Sequence, residues 1–295
     1  MIVATVPRLS VQAQGAGGSV ETVMHHVDYH VDSTLVMQID RLRGRLVPAR
    51  AGGLVVFDDP ASFVIEIDSA TIALRMTALS DLLDRYVFHY KGTPLKGLKA
   101  SVDSGGRLKQ SGRLHGLPFS IIAEMSVTSG GELRLHPVTI HVLGISAGGL
   151  LRTFGLSLQK MANVRQAPGV RIEKNDLYLT PAAMLPPPLA RGHLVAAVAR
   201  DSTLTIRFAQ YHAGAPVLTV PDAGATNYLY FRGASLRFGR LTMTPADLLV
   251  VDHEPATWFD FWLARYQRQL VAGVSHTTPP GGLITEWPDF RSVKR

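Results

Sequence analysis

The sequence predicts an α+β fold: a long, curved antiparallel β-sheet wrapped on two main amphipathic helices, followed by a C-terminal α+β extension. Three observations support this prediction. Apolar and polar side chains alternate over many short segments, which is typical of strands with one buried face. Short Ser/Gly turns join several of these segments, which favours antiparallel hairpins. Two other stretches repeat their apolar residues at helical spacing, and we expect them to cover the apolar face of the sheet.

The composition is that of a folded protein with a sizeable core. The 295 residues are 46% apolar and 18% charged, which excludes general disorder. The formal charge of +7 favours anionic surfaces, although the basic residues are scattered rather than clustered. Without cysteine, the chain has no disulfide and no thiolate chemistry. Neither a membrane-spanning stretch nor a signal peptide is visible, and the sequence leaves the compartment open.

We divide the chain into a flexible lead-in at residues 1–19, a sheet-plus-helix domain at residues 20–210 and a C-terminal extension at residues 211–295. The lead-in contains the glycine-rich run QAQGAGGS. Alternating strands are then predicted between residues 27 and 76. The apolar residues change parity between Ile39 and Leu42, and this change predicts a β-bulge because side chains in a strand repeat every two residues.

The two predicted helices lie at residues 77–90 and 147–164. Thr77 or Ser80 would cap the start of the first helix. The second helix follows a glycine-rich entry that begins at Gly144. Their apolar stripes are Leu79, Leu82, Leu83, Tyr86 and Val87 in the first helix, and Leu150, Leu151, Phe154, Leu158 and Met161 in the second.

Four strands are predicted between these helices and four more after the second one. Pro137 interrupts the alternation of the fourth strand, which predicts a bulge or a sheet edge there. The proline run at residues 186–188 is typical of a rigid, extended connector or lip.

The C-terminal extension combines short strands with an aromatic helix, predicted from Pro255 to Val271, and a Pro/Gly-rich tail. Trp258, Trp262 and Tyr266 are the aromatic residues that we expect to contact a membrane surface or a protein complex through residues 256–295. The alternative is that these side chains complete a core or a subunit contact. No nucleic-acid-binding motif is visible, and we expect no such partner.

One pentapeptide resembles a catalytic element. Gly144 to Gly148 matches the G-x-S-x-G elbow, which would make Ser146 a nucleophile, with Asp222 and His253 completing a triad. The elbow belongs to parallel α/β sheets, however, whereas the tight turns before Ser146 indicate antiparallel hairpins. We therefore favour a structural role, in which Ser146 caps the helix that follows.

His26, Asp28, His30 and Asp32 alternate along one strand and are the residues that most resemble a metal site. Side chains two positions apart on a strand are separated by about 7 Å, which is wide for ligands of one ion. We interpret them as a solvated polar face and predict no metal.

The segment from Leu79 to Phe208 resembles the tubular lipid-binding (TULIP) superfamily, and within it the bacterial LmeA-like phospholipid-binding proteins. The resemblance is carried by LSDLLDRYVF, by PLKGLKASVDSGGRLKQSGRLHGLPFSIIAEMSV, by GGELRLHPVTIHVLGI, by GVRIEKNDLYLTP and by STLTIRF. It implies a non-enzymatic lipid-binding or lipid-carrier protein with no cofactor except bound phospholipid or fatty acid. It also implies that the protein works in the cell envelope or periplasm.

The apolar slot that this resemblance implies would lie between the sheet and the helices. Its candidate lining consists of Leu79, Leu83, Tyr86, Ile121, Met125, Leu150, Phe154 and Leu158. The alternative is that the same residues form a closed core. Two other functions stay open, namely a serine hydrolase that uses Ser146 and a structural subunit that docks through its C-terminal region.

Overall fold

The computed structural model describes residues 18–142, 145–146, 166–209, 218–222, 224–279 and 281–293. These residues are 56% strand and 13% helical. Their α-helices are α1 (Met76–Leu82) and α2 (Tyr266–Ala272), each of seven residues. Single helical turns lie at Pro60–Ser62, Leu83–Val87, Pro181–Met184, Leu263–Arg265 and Phe290–Ser292.

The predicted α+β fold with a sheet wrapped on two main helices is therefore wrong, because the described residues are mostly β-sheet. The helical period found at residues 77–90 is real but short, since α1 widens into a π-helical turn at Leu83–Val87 and ends at Phe88. The second predicted helix, at residues 147–164, lies outside the described residues.

Twenty strands are described, and they form three sheets. In chain order they are β1 (Val20–His30), β2 (Val36–Pro48), β3 (Val55–Val56), β4 (Phe63–Arg75), β5 (Leu95–Val102), β6 (Leu108–Leu114), β7 (Leu117–Val127), β8 (Leu133–Val142), β9 (Ile145–Ser146), β10 (Val170–Glu173), β11 (Asp176–Leu179), β12 (Leu189–Arg200), β13 (Thr203–Ala209), β14 (Tyr228–Gly233), β15 (Leu236–Phe238), β16 (Leu241–Met243), β17 (Ala246–Asp252), β18 (Phe259–Trp262), β19 (Val274–Thr278) and β20 (Gly282–Trp287).

The first sheet has ten strands in the order β12-β13-β4-β2-β1-β14-β17-β20-β19, with β18 also paired to β1. Most neighbours are antiparallel, while the β4–β12, β1–β18 and β17–β20 pairs are parallel. Strands from both sides of the predicted boundary at residue 210 share this sheet, because β14 pairs directly with β1.

The second sheet has seven strands in the order β10-β11-β8-β7-β6-β5, with β9 paired to β8. All its pairs are antiparallel, and the tight turns that were predicted between these strands are confirmed. A small third sheet contains β16, β15 and β3. One cluster of buried apolar side chains extends over both large sheets and includes α1.

Both predicted bulges are confirmed. The pairing of β2 with β4 shifts register between Ile39 and Arg41. The pairing of β7 with β8 shifts between Ile122 and Ala123, opposite Pro137 and Thr139. Each extra residue restores the apolar side chains to the inner face, so that the long strands keep one apolar face although their alternation breaks.

Gly44 of β2 lies too close to β4 to accommodate a side chain. A Cβ atom added there would lie 2.1 Å from the carbonyl oxygen of Glu66 on the neighbouring strand. Because that neighbour is backbone, it cannot move aside as a flexible side chain could. We predict that Gly44→Ala lowers the free energy of unfolding by about 3 kcal/mol, measured by urea denaturation.

The matched control is Gly130→Ala, because a Cβ atom at Gly130 would meet only the Thr128 hydroxyl at 3.7 Å. This control should change stability by less than about 0.5 kcal/mol. Equal stabilities of the two variants would show that the pairing of β2 with β4 is looser than described.

Candidate functional site

An apolar slot lies on the inner face of the first sheet, and we call it the first slot. Its cavity volume is about 120 Å³, and the space around the cavity is partly open to solvent. The wall residues on β2, β4 and β13 are Met37, Ile39, Leu42, Ile65, Ile67, Ile72, Leu74, Leu204, Ile206 and Phe208. They face the slot together because alternate residues of neighbouring strands share one side of a sheet.

The side chains on these strands differ in how well they are covered. Ile67 and Ile72 are buried, whereas Met37, Ile65 and Ile206 are only partly buried although they pack against the core. Partly buried apolar side chains on an inner face border space that the protein does not fill. The first slot is therefore an apolar concavity on this face that is partly open to solvent.

Short elements cover the first slot. Leu79 and Leu82 of α1 lie in its wall, as do Ala182 and Met184 from the helical turn that follows β11. The proline run at residues 186–188 forms part of the same wall, which fits its prediction as a rigid connector or lip. In the part of the chain that the structure describes, the helical elements that cover the first slot are no longer than seven residues.

A second slot, with a cavity volume of about 70 Å³, lies on the apolar face of the second sheet. The two slots adjoin along β8 and β11. Leu133 and Leu179 line the first slot, while Leu135 and Leu177 line the second. These four leucines are cross-strand pairs, Leu133 with Leu179 and Leu135 with Leu177.

The predicted lining residues are distributed over several places. Leu79 lies in the wall of the first slot, and Ile121 lies in the wall of the second. Leu83 is buried, and Met125 is partly buried against the core. Leu150, Phe154 and Leu158 lie outside the described residues.

Tyr86, predicted to line the slot, instead forms a hydrogen bond with a carboxylate. Its hydroxyl donates to the Asp32 carboxylate, which also accepts from the Thr34 and Leu35 amides at 2.7 and 2.8 Å. Arg85 lies 3.1 Å from the same carboxylate. Burial raises the pKa of Asp32, but these hydrogen bonds and the charge of Arg85 outweigh it and lower the pKa to about 2. Asp32 thus ties the turn between β1 and β2 to the end of the α1 segment.

The other polar residues of β1 have separate partners. His26 lies 3.6 Å from Asp40, and Asp28 accepts from Gln38 at 3.3 Å. His30 forms an ion pair with Asp260 of β18. No group of three or more metal-ligating side chains is found among the described residues.

The three residues of the predicted triad have the following places. Ser146 pairs with His141 in the short strand β9, and its side chain lies outside the described residues. Asp222 accepts from the Gly224 amide at 2.8 Å. The His253 ring lies 3.4 Å from Glu286. In the described contacts, Asp222 and His253 each interact with a different residue, and the two are not paired with each other.

The predicted aromatic helix at residues 255–271 is wrong over its first half. Phe259–Trp262 is the strand β18, in which Phe259 and Phe261 are buried, and α2 begins only at Tyr266. Trp258 stacks on His26 at a centroid distance of 5.2 Å, and Trp262 stacks on His30 at 5.5 Å.

Tyr266 is 2% exposed, and its hydroxyl donates to Asp58 at 3.0 Å. Its ring is consequently part of the core and does not reach a membrane or a partner in this fold. The two tryptophans are partly buried and keep some exposed surface.

Most wall residues of the first slot were missed by sequence reasoning. Met37, Ile39, Ile65 and Ile206 were read as strand residues but not as a binding surface. The alternation showed which side of each strand is apolar. It contained no signal for what covers that side, because the covering residues at positions 60 and 181–188 are distant in the sequence.

Comparison of the chain with models of known protein families, with curated proteins and with solved structures gave no match. The described helices include none with the length and apolar composition needed to span a membrane.

The low pKa of Asp32 predicts a pH-dependent contribution to stability. A carboxylate whose pKa in the folded protein lies below its ordinary value of 3.8 stabilises the fold above that pH, and the effect is lost as the pH falls toward 2. We expect Asp32→Asn to lower the free energy of unfolding by about 1 kcal/mol at pH 7, allowing for partial screening by solvent. Urea denaturation should show a smaller difference at pH 3.

Asp40→Asn serves as the control, since the contacts of Asp40 with His26 and Arg41 are 3.6 and 3.9 Å long and its side chain is 40% exposed. This variant should match the wild type within about 0.5 kcal/mol at both pH values. A loss of stability in Asp32→Asn that is independent of pH would contradict the assigned role of the carboxylate.

Proposed function

We propose that this protein binds lipid without catalysis and holds an acyl chain in the first slot. The observation that carries the proposal is a continuous apolar wall, formed by β2, β4 and β13, in which Met37, Ile65 and Ile206 stay partly buried around unfilled space. Binding sites for small ligands are typically concave and mostly apolar. The resemblance to LmeA-like lipid-binding proteins supports the same class of ligand.

The free energy gained by burying an acyl chain can offset the cost of association without specific recognition of the head group. Each methylene group moved out of water contributes roughly 0.8 kcal/mol. The cavity of about 120 Å³ holds only part of an acyl chain, so the remaining methylenes would be covered as the short elements around the slot shift. About fifteen methylenes buried in this way would gain on the order of 12 kcal/mol, which is comparable to the roughly 4–15 kcal/mol cost of association. A slot with apolar walls therefore needs few polar contacts to retain its ligand.

The proposal does not depend on a long helix against the sheet. Here the inner face of the first sheet supplies the wall, and α1 with the helical turn at Pro181–Met184 supplies the cover. A ligand chain would occupy the volume that these short covers leave open.

Purification without detergent tests the proposal directly. We expect organic extraction of the natively prepared protein, followed by mass spectrometry, to release phospholipid or fatty acid in a defined molar ratio. Protein that has been delipidated should bind a fluorescent fatty acid. A sample with no extractable lipid and no uptake of the probe would refute the proposal.

We further predict that Ile206→Trp reduces binding of the fluorescent fatty acid at least about tenfold, because the larger ring occupies the slot. Ile206 is partly buried and lies in the slot wall, so the fold can accept the larger side chain into existing space. The measurement is a fluorescence titration of delipidated protein.

The matched control is Val198→Trp. Val198 lies on β12 and is 55% exposed, so its side chain points away from the slot. This control should bind the probe like the wild type. Equal binding by both variants, with both folded as judged by circular dichroism, would place the ligand elsewhere.

A further inference from the structure

We propose that the ligand of the first slot carries an anionic head, and that Arg265 and Arg268 bind this head in a polar recess at the end of the slot. The inference rests on the proposed function and deepens it, because it names the chemical class of the ligand: a hydrocarbon chain that ends in a carboxylate or a phosphate.

The recess and the slot are adjacent and share part of their lining. Pro60, Leu263 and Ala264 line both of them. On one side of these three residues the walls are apolar. On the other side lie the polar side chains of the recess, among them Asp58, Arg265 and Arg268. An amphiphile with its chain in the slot would therefore place its polar end beside the two arginines.

The two arginines are available for a ligand. Both are exposed: Arg265 immediately precedes α2, Arg268 lies in its first turn, and both line the recess. Arg265 stacks over the Trp262 ring, with its guanidinium carbon 4.3 Å from the ring centroid. Among the described residues, neither arginine has a carboxylate within ion-pair distance.

The carboxylate in the recess is already engaged. Asp58 accepts hydrogen bonds from the Gly239 amide at 2.8 Å, from the Tyr266 hydroxyl at 3.0 Å and from the Gln267 side chain. It thereby fixes Tyr266 and Gln267, the two residues between Arg265 and Arg268, and does not pair with either arginine. The recess retains a net positive charge of one, from two arginines and one aspartate.

A guanidinium suits the proposed head group. Its planar N–H donors match the oxygens of a carboxylate or a phosphate and form paired hydrogen bonds with them. The stacking of Arg265 on Trp262 limits the freedom of its side chain, so less entropy is lost when a head group binds. A neutral alcohol of the same chain length offers no charge to either arginine.

Binding of three C12 compounds tests the inference: dodecanoate, dodecyl phosphate and dodecanol, titrated into delipidated protein at pH 7.5 by calorimetry. We expect the wild type to bind both anions about tenfold more tightly than dodecanol at low salt. The double variant Arg265→Gln/Arg268→Gln should lose this preference and should bind dodecanol as the wild type does. Added salt should weaken the anions only in the wild type.

Arg191→Gln/Arg207→Gln is the matched control. It removes the same charge from two exposed positions on β12 and β13. This control should keep the tenfold preference. A wild type that binds dodecanol as tightly as the anions, or a preference that survives in the Arg265/Arg268 variant, would overturn the inference while leaving the slot intact. Failure of all three compounds to bind would refute the slot and the inference together.

Discussion

Among the described residues, the elements that cover the inner face of the first sheet are shorter than the strands that form it, and the apolar slot lies where they leave it uncovered. Strands of up to 13 residues, such as β2 and β4, present apolar side chains along their whole length. In the described part of the chain, the opposite wall includes α1, the helical turn at Pro181–Met184, the prolines at residues 186–188, residues 60 and 263–264, and Leu133 and Leu179 of the second sheet. Apolar surface that the described residues leave uncovered lacks packing contacts, which a bound hydrocarbon would supply.

Local features of this fold could be predicted because they depend on residues close in sequence. The parity change after Ile39 and the proline at position 137 each marked a bulge, and the π-helical turn after Leu82 continues a real helical period. The fold class could not be predicted in the same way. β1 pairs with β14, which lies about 200 residues away, and nothing in either strand's alternation identifies that partner.

The candidate site, too, could be predicted only in its local features. Alternation identified the apolar sides of β2, β4 and β13, but the slot exists only because residues 60, 181–188 and 263–264 converge on them. Aromatic residues at positions 258–266 suggested a surface helix. They are instead divided between a buried strand and the start of a short helix, because Phe259 and Phe261 alternate into the core. The arginines that follow then border the end of the slot.

Photo-crosslinking with a C12 fatty acid that carries a diazirine near its methyl end tests the central claim most directly. After illumination of the delipidated and reloaded protein, peptide mass spectrometry identifies the labelled residues. The account predicts labels on the slot wall, at Met37, Ile65 or Ile206. Labels confined to exposed apolar residues such as Val271 and Val274, or no saturable labelling, would contradict it.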